Sequence, residues 1–145
     1  MKVAIGADHK GFKLKEKIKE YLQKRGDDVL DFGTDSEKSV DYPDFGLKVA
    51  HAVADEVVEF GINICWTGTG MSIGANKVRG VRSGVCMNVE MAQLAREHND
   101  ANVLSLAAKY VPEVDALLIV DKFLSTDFSG GRHVQRLDKI KAEEN

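Results

Sequence analysis

Short apolar runs alternate with amphipathic stretches along the whole chain. Val3–Ala7, Val29–Phe32, Gly61–Cys65, Val81–Cys86 and Val103–Leu106 are each too short for a helix and read as buried strands. Lys13–Lys24 carries Leu14, Ile18, Tyr21 and Leu22 on one helical face, and Arg25-Gly26 closes it with a cation and a glycine cap. A second helix runs from Tyr42 or Pro43 through Leu47, Val49, Ala50, Val53 and Ala54, with proline in its first turn. Three more helices are expected over Ser72–Val78, Val89–His98 and Val111–Leu124. A final one, Arg132–Glu143, follows Gly130-Gly131 and has only a thin apolar stripe of Val134, Leu137 and Ile140. Five strands separated by helices predict an α/β fold, a parallel sheet with helices on both faces. The thin stripe of the last helix is expected to pack against a partner subunit.

Composition narrows the class without choosing a chemistry. Residues 1–145 suit a single domain large enough to bury a full core. The net charge of −3 gives no electrostatic case for nucleic acid or an acidic membrane. No run approaches the roughly 18 apolar residues of a membrane span, and the opening Met1-Lys2-Val3-Ala4-Ile5 is not a signal peptide. Cys65 and Cys86 form no CxxC pair, so a reduced, cytoplasmic setting is expected.

The chemistry concentrates at the ends of the strands. Cys65 closes the third strand and is followed by Trp66-Thr67-Gly68-Thr69-Gly70, a glycine-rich turn leading into a helix. A helix N-terminus binds anions and favours a thiolate, so this turn can combine a base with an oxyanion site. Asp8 and His9 follow the first strand, Cys86-Met87-Asn88 the fourth, and His98-Asn99-Asp100 stand just before the fifth. Arg132 and Arg136 share a helical face by their spacing of four. The reading places all of these along one edge of the sheet. Blander readings exist for each. Cys86 fits a core thiol, Asp8 a helix cap, His51 a structural or exposed position, and the two arginines a solvated face. Asp31 sits where a dinucleotide-binding acid would, but Gly6-Ala7-Asp8-His9-Lys10-Gly11 is not GxGxxG and argues against NAD. The four histidines lack metal-ligand spacing, so no metal is expected.

These motifs, in this order, resemble the type B ribose-5-phosphate isomerases, a family shared with the galactose-6-phosphate isomerase subunits. The resemblance runs through Gly6-Ala7-Asp8-His9, Asp41-Tyr42-Pro43-Asp44, Gly61-Ile62-Asn63-Ile64-Cys65, Thr67-Gly68-Thr69-Gly70-Met71-Ser72-Ile73, Ala75-Asn76-Lys77, Glu97–Val103 and Gly130-Gly131-Arg132-His133. It implies a Rossmann-like three-layer sandwich, homodimers or dimers of dimers with sites at the dimer interface, and no cofactor. It further implies aldose–ketose isomerisation of a sugar phosphate through a cis-enediolate, ribose 5-phosphate to ribulose 5-phosphate foremost. Cys65 takes the place of the base, and Trp66, Thr67, Gly68, Thr69 and Gly70 would present backbone N–H groups to the enediolate oxygen. His98 takes the place of the ring-opening histidine, with Thr67 and Asp8 assisting. Tyr42 and Asn99 fall at sugar-contacting positions, and His9, Arg132 and Arg136 at the phosphate grip.

Two departures bear on substrate choice. Trp66 stands where the resembled family usually has glycine, and Ala107-Ala108-Lys109 where it carries an arginine preceded by glycine. Lys109 keeps a positive charge without the bidentate fork. Trp66 is expected either to shrink the pocket or to strain the backbone if the position needs positive φ. Met71 stands where a Cys-lacking branch has a glutamate base, which leaves Cys65 as the base candidate. Two alternatives stay open: a paralogue acting on a tetrose, other pentose or hexose phosphate, and a non-catalytic phosphosugar-binding protein.

Overall fold

The computed structural model describes residues 1–144. Five strands form one sheet: β1 (Lys2–Ala7), β2 (Asp28–Asp31), β3 (Phe60–Cys65), β4 (Ser83–Val85) and β5 (Val103–Ala107). They lie in the order β2-β1-β3-β5-β4, and every neighbouring pair is parallel. Six helices accompany them: α1 (Phe12–Lys24), α2 (Tyr42–Ala54), α3 (Thr69–Asn76), α4 (Val89–Asn99), α5 (Glu113–Ser125) and α6 (His133–Lys141).

Side-chain alternation along the central strands divides the core. Val3, Ile5, Ile62, Ile64, Leu104 and Leu106 face the layer of α1, α4 and α5, where Ile18, Leu22, Ile119 and Phe123 meet them fully buried. Each such aliphatic side chain contributes about 1.5–3 kcal/mol by leaving water. Ala4, Val103 and the small or polar Gly6, Gly61, Asn63 and Ser105 occupy the intervening positions, toward α2 and α3. Small residues there let α2 approach closely: a Cβ on Gly61 would lie 2.6 Å from Val49 Cγ1. The result is the α/β three-layer sandwich expected from the alternation.

Boundaries shift where local chemistry overrides the apolar pattern. Pro112 is extended (φ −60°, ψ 153°) and delays α5 to Glu113, because proline disfavours helix at the preceding Val111. β4 shrinks to three residues at the sheet's end. Arg82 N–H there bonds to the Asn102 side chain rather than to a strand (2.8 Å). α3 begins three residues earlier than expected, so much of the glycine-rich turn is helix. No helix among the described residues is long and apolar enough to cross a membrane.

Candidate active site

The sheet order reverses between β1 and β3: the chain leaves β1 toward β2 on one side and returns to β3 on the other. Ligands of open parallel sheets bind at such a point, beyond the strands' C-terminal ends. Asp8 and Cys65 flank it, and the two strand ends are tied by Asp8 N–H donating to Ile64 O at 3.3 Å.

Asp8 is buried, and its Oδ1 accepts from the N–H groups of Lys10 and Gly11, both at 3.0 Å. Asp8 closes the turn ahead of α1 and is not its helix cap, since Gly11 holds the N-cap position without a side-chain cap bond. The turn fixes the carboxylate in place, with Oδ2 outside any hydrogen bond among the described residues. His9 Nδ1 accepts the N–H of Val40 at 3.1 Å, which leaves Nε2 as the nitrogen that can donate to a ligand.

Cys65 is buried to 5 % exposure at the end of β3. Its carbonyl accepts from Ala108 N–H (2.9 Å), and the carbonyl of Trp66 from Lys109 N–H (3.0 Å), clamping the start of the turn to the end of β5. Gly68 then adopts φ +78° as the N-cap of α3. A side chain there would be strained and would meet Val85 Cγ1 at 3.1 Å and the backbone carbon of Leu106 at 3.2 Å. The kink aims the open end of α3 outward. Thr69 N–H reaches Thr67 Oγ1 at 3.4 Å, whereas the N–H groups of Thr67, Gly68, Gly70 and Met71 meet no acceptor among the described residues. Tyr42, first residue of α2, lies across Gly70, where a Cβ would be 2.6 Å from its ring carbon Cζ. The structure thus brings together Asp8, His9, Cys65, Thr67, Gly68, Thr69, Gly70, Tyr42 and Lys109 at one edge.

The two cysteines differ in setting. Cys86 is enclosed in the core, where burial pushes its thiol up to about 11, so it stays protonated and unreactive at neutral pH. Met71 is buried against α2, with a Cβ on Gly46 falling 2.4 Å from its Sδ, and does not enter the site. Asp31 is spoken for by Lys15 (2.7 Å), Lys19 (2.9 Å) and Gly33 N–H (2.8 Å), and these partners hold its carboxyl below the usual range against the opposing effect of burial. Among the described residues no three His, Cys, Asp or Glu side chains converge on a metal position.

Of the two effects expected of Trp66, backbone strain is absent, since its φ is not positive. Trp66 stands 43 % exposed with two ammonium groups over its ring, Lys10 Nζ at 5.0 Å and Lys109 Nζ at 5.8 Å from the centroid.

One expectation is corrected: His98, Asn99, Arg132 and Arg136 do not share the edge with Cys65. α4 leaves the C-terminal end of β4 and runs back over eleven residues, about 16 Å, so His98 and Asn99 lie at the edge where strands begin. Asp100, at φ 44°, turns the chain into β5 and is held by Arg96 (2.9 Å) and Arg82 (3.4 Å). α6 starts beside the end of α4, and His133 stacks on His98 with ring centroids 4.4 Å apart and planes at 17°. Partial burial, and then the nearby His98, Arg132 and Arg136, hold the His133 imidazole below its ordinary value. Arg132 and Arg136 are exposed and form no ion pair among the described residues. This is a second group of basic side chains, apart from the Cys65 edge.

A buried thiol, a kinked helix start offering free N–H groups and a separate cationic cluster are thus set on one Rossmann-like parallel α/β sheet. The chain belongs to the Ribose/Galactose Isomerase family, whose model matches residues 3–140. Ribose-5-phosphate isomerase B of Escherichia coli (strain K12) is 48% identical over 143 residues, covering 99% of this chain and 96% of its own. The structure of Clostridium thermocellum ribose-5-phosphate isomerase B superposes with a TM-score of 0.97 at 54% identity, covering 98% of this chain and 96% of that one. Mycoplasma genitalium ribose-5-phosphate isomerase B with bound ribulose-5-phosphate gives 0.94 at 41% identity, with 99% and 95% covered. The chain is an aldose–ketose isomerase of sugar phosphates.

Proposed function

We propose that the chain interconverts ribose 5-phosphate and ribulose 5-phosphate at a site shared by two copies of itself. The observation that carries this is the separation of the two clusters. The Cys65 turn and the His98, Arg132 and Arg136 group lie on opposite edges of one sheet, so one molecule cannot close both around a pentose phosphate. A twofold pair of chains places the α4–α6 end of one against the Cys65 edge of the other, twice over. α6, which buries no residue of its own and exposes Val134 and Ile140, is the helix that such a partner would cover.

In that arrangement the His98 imidazole transfers the anomeric hydroxyl proton to the ring oxygen and opens the furanose. Cys65 as thiolate removes the C2 proton of the aldose and returns it to C1, while the enediolate oxygen receives N–H bonds from the Trp66–Gly70 turn. Each such donor is worth about 3 kcal/mol in the transition state. Thr67 and Asp8 hold sugar hydroxyls, Tyr42 and Asn99 line the sugar, and His9, Lys109, Arg132 and Arg136 grip the phosphate, which anchors either isomer equally. Residues 1–145 act as one domain without a cofactor. Two free thiols, one of them the base, suit a reducing cytoplasmic compartment. A coupled assay across triose to hexose phosphates, compared as kcat/KM, tests the substrate; a higher ratio for a tetrose or hexose phosphate than for ribose 5-phosphate overturns it.

A further inference from the structure

We propose that Trp66 is a positioning residue that fixes Lys10 and Lys109 as a pair of phosphate-binding cations beside the Cys65 turn. The inference rests on the reading that a sugar phosphate binds there. A lysine is a point charge on a flexible four-carbon stem, and ordering two of them in water loses rotamer freedom. Here both backbones are already tied to the switch point: Lys10 N–H donates to Asp8 Oδ1 at 3.0 Å, and Lys109 N–H to Trp66 O at 3.0 Å. The indole supplies the remaining constraint. Its electron-rich ring holds one ammonium at 5.0 Å and the other at 5.8 Å, the latter lying also 5.5 Å from the Tyr110 ring. Neither lysine forms an ion pair among the described residues, so both charges stay available. Two like charges gathered at one ring repel each other, and a dianionic phosphate relieves that repulsion. An exposed tryptophan beside the base thereby acquires a task that neither shrinks the pocket nor enters the proton transfer.

Trp66 is the single tryptophan of the chain, so its emission reports this locus alone. Titrating the full chain with inorganic phosphate is expected to change the emission saturably, and the change is expected to vanish in the Lys10→Met/Lys109→Met variant. Trp66→Gly is expected to raise both the inhibition constant of inorganic phosphate and KM about fivefold, with kcat falling less than threefold. Trp66→Phe, which keeps a ring face, recovers much of that loss. In the double-lysine background Trp66→Gly is expected to add nothing further. Unchanged phosphate inhibition in Trp66→Gly overturns the proposal, as does an undiminished effect of the same substitution once both lysines are gone. The phosphate titration needs no turnover. A chain inactive on ribose 5-phosphate that still shows lysine-dependent emission changes loses the substrate reading and keeps the role of Trp66.

Discussion

His98 and His133 stack face to face, 4.4 Å between centroids, although one ends α4 and the other begins α6. The contact joins the candidate ring-opening group to the candidate phosphate grip. His133 is held below its ordinary value by partial burial and by His98, Arg132 and Arg136. A bound dianion opposes the charge-based part of that shift. Proton NMR is therefore expected to show the His133 imidazole titrating below 6.5 in the free protein and moving upward on adding phosphate. By linkage, phosphate then binds more tightly as pH falls through that interval, since the complex takes up a proton. A His133 resonance indifferent to phosphate would separate this cluster from anion binding.

Complementation tests the shared site. Cys65→Ala and His98→Asn are each expected to be inactive alone on the furanose substrate. Unfolded or dissociated and reassembled as a mixture, they form hybrids in which one of two sites is intact. About a quarter of wild-type activity is expected from equal parts, because half the dimers are hybrid and each has one good site. No recovery despite confirmed subunit exchange would mean that each chain works alone.

The thiols should behave oppositely. Cys65→Ala is expected to lower kcat by at least about 10³ while leaving calorimetric binding of ribose 5-phosphate within a few-fold. Cys86→Ala is expected to retain turnover and to lose about 1 kcal/mol of stability from its core position. Near-normal turnover by the Cys65 variant would remove the thiol from the mechanism.

His98→Asn should discriminate between substrate forms. An acyclic sugar phosphate bypasses ring opening, so its kcat/KM is expected to fall far less than that of the furanose. Equal losses on both would assign His98 to binding instead.

Gly68→Ala probes the kink. With φ +78° and contacts of 3.1 and 3.2 Å awaiting the Cβ, the substitution is expected to cost about 1–2 kcal/mol in thermal unfolding. It is also expected to lower kcat, since the free N–H groups of α3 lose their aim. Unaltered kcat in the folded variant would show that those donors are not used.

The sheet and its six helices are legible because strand and helix periods differ along this chain, and Val3, Ile5, Ile62 and Ile64 alternate cleanly. The Cys65 turn is legible for the same reason: an apolar strand followed by glycines at a helix start has few other meanings. Boundaries were harder where one residue decides, as at Pro112 and Gly68. The opposite placement of His98 was implicit in the element order, since in a parallel sheet a residue just before a strand lies at the edge where strands begin. The stacking of His133 on His98 has no signal in the sequence because the two are thirty-five positions apart, and only the meeting of α4 and α6 makes them neighbours. Lys10 has no signal beyond its charge, and its relation to Trp66 depends on β1 and β3 ending side by side.

Helix α6 carries the two arginines proposed to hold the phosphate, yet none of its residues is buried within the chain. Its attachments include Glu144, whose carboxylate accepts Gly80 N–H at 3.1 Å and whose carbonyl accepts from Arg79 at 2.9 Å. A grip mounted on so lightly anchored an element must be assembled as well as occupied. Affinity in this chain would accordingly be tuned from the outer face of α6, by residues that never meet the sugar.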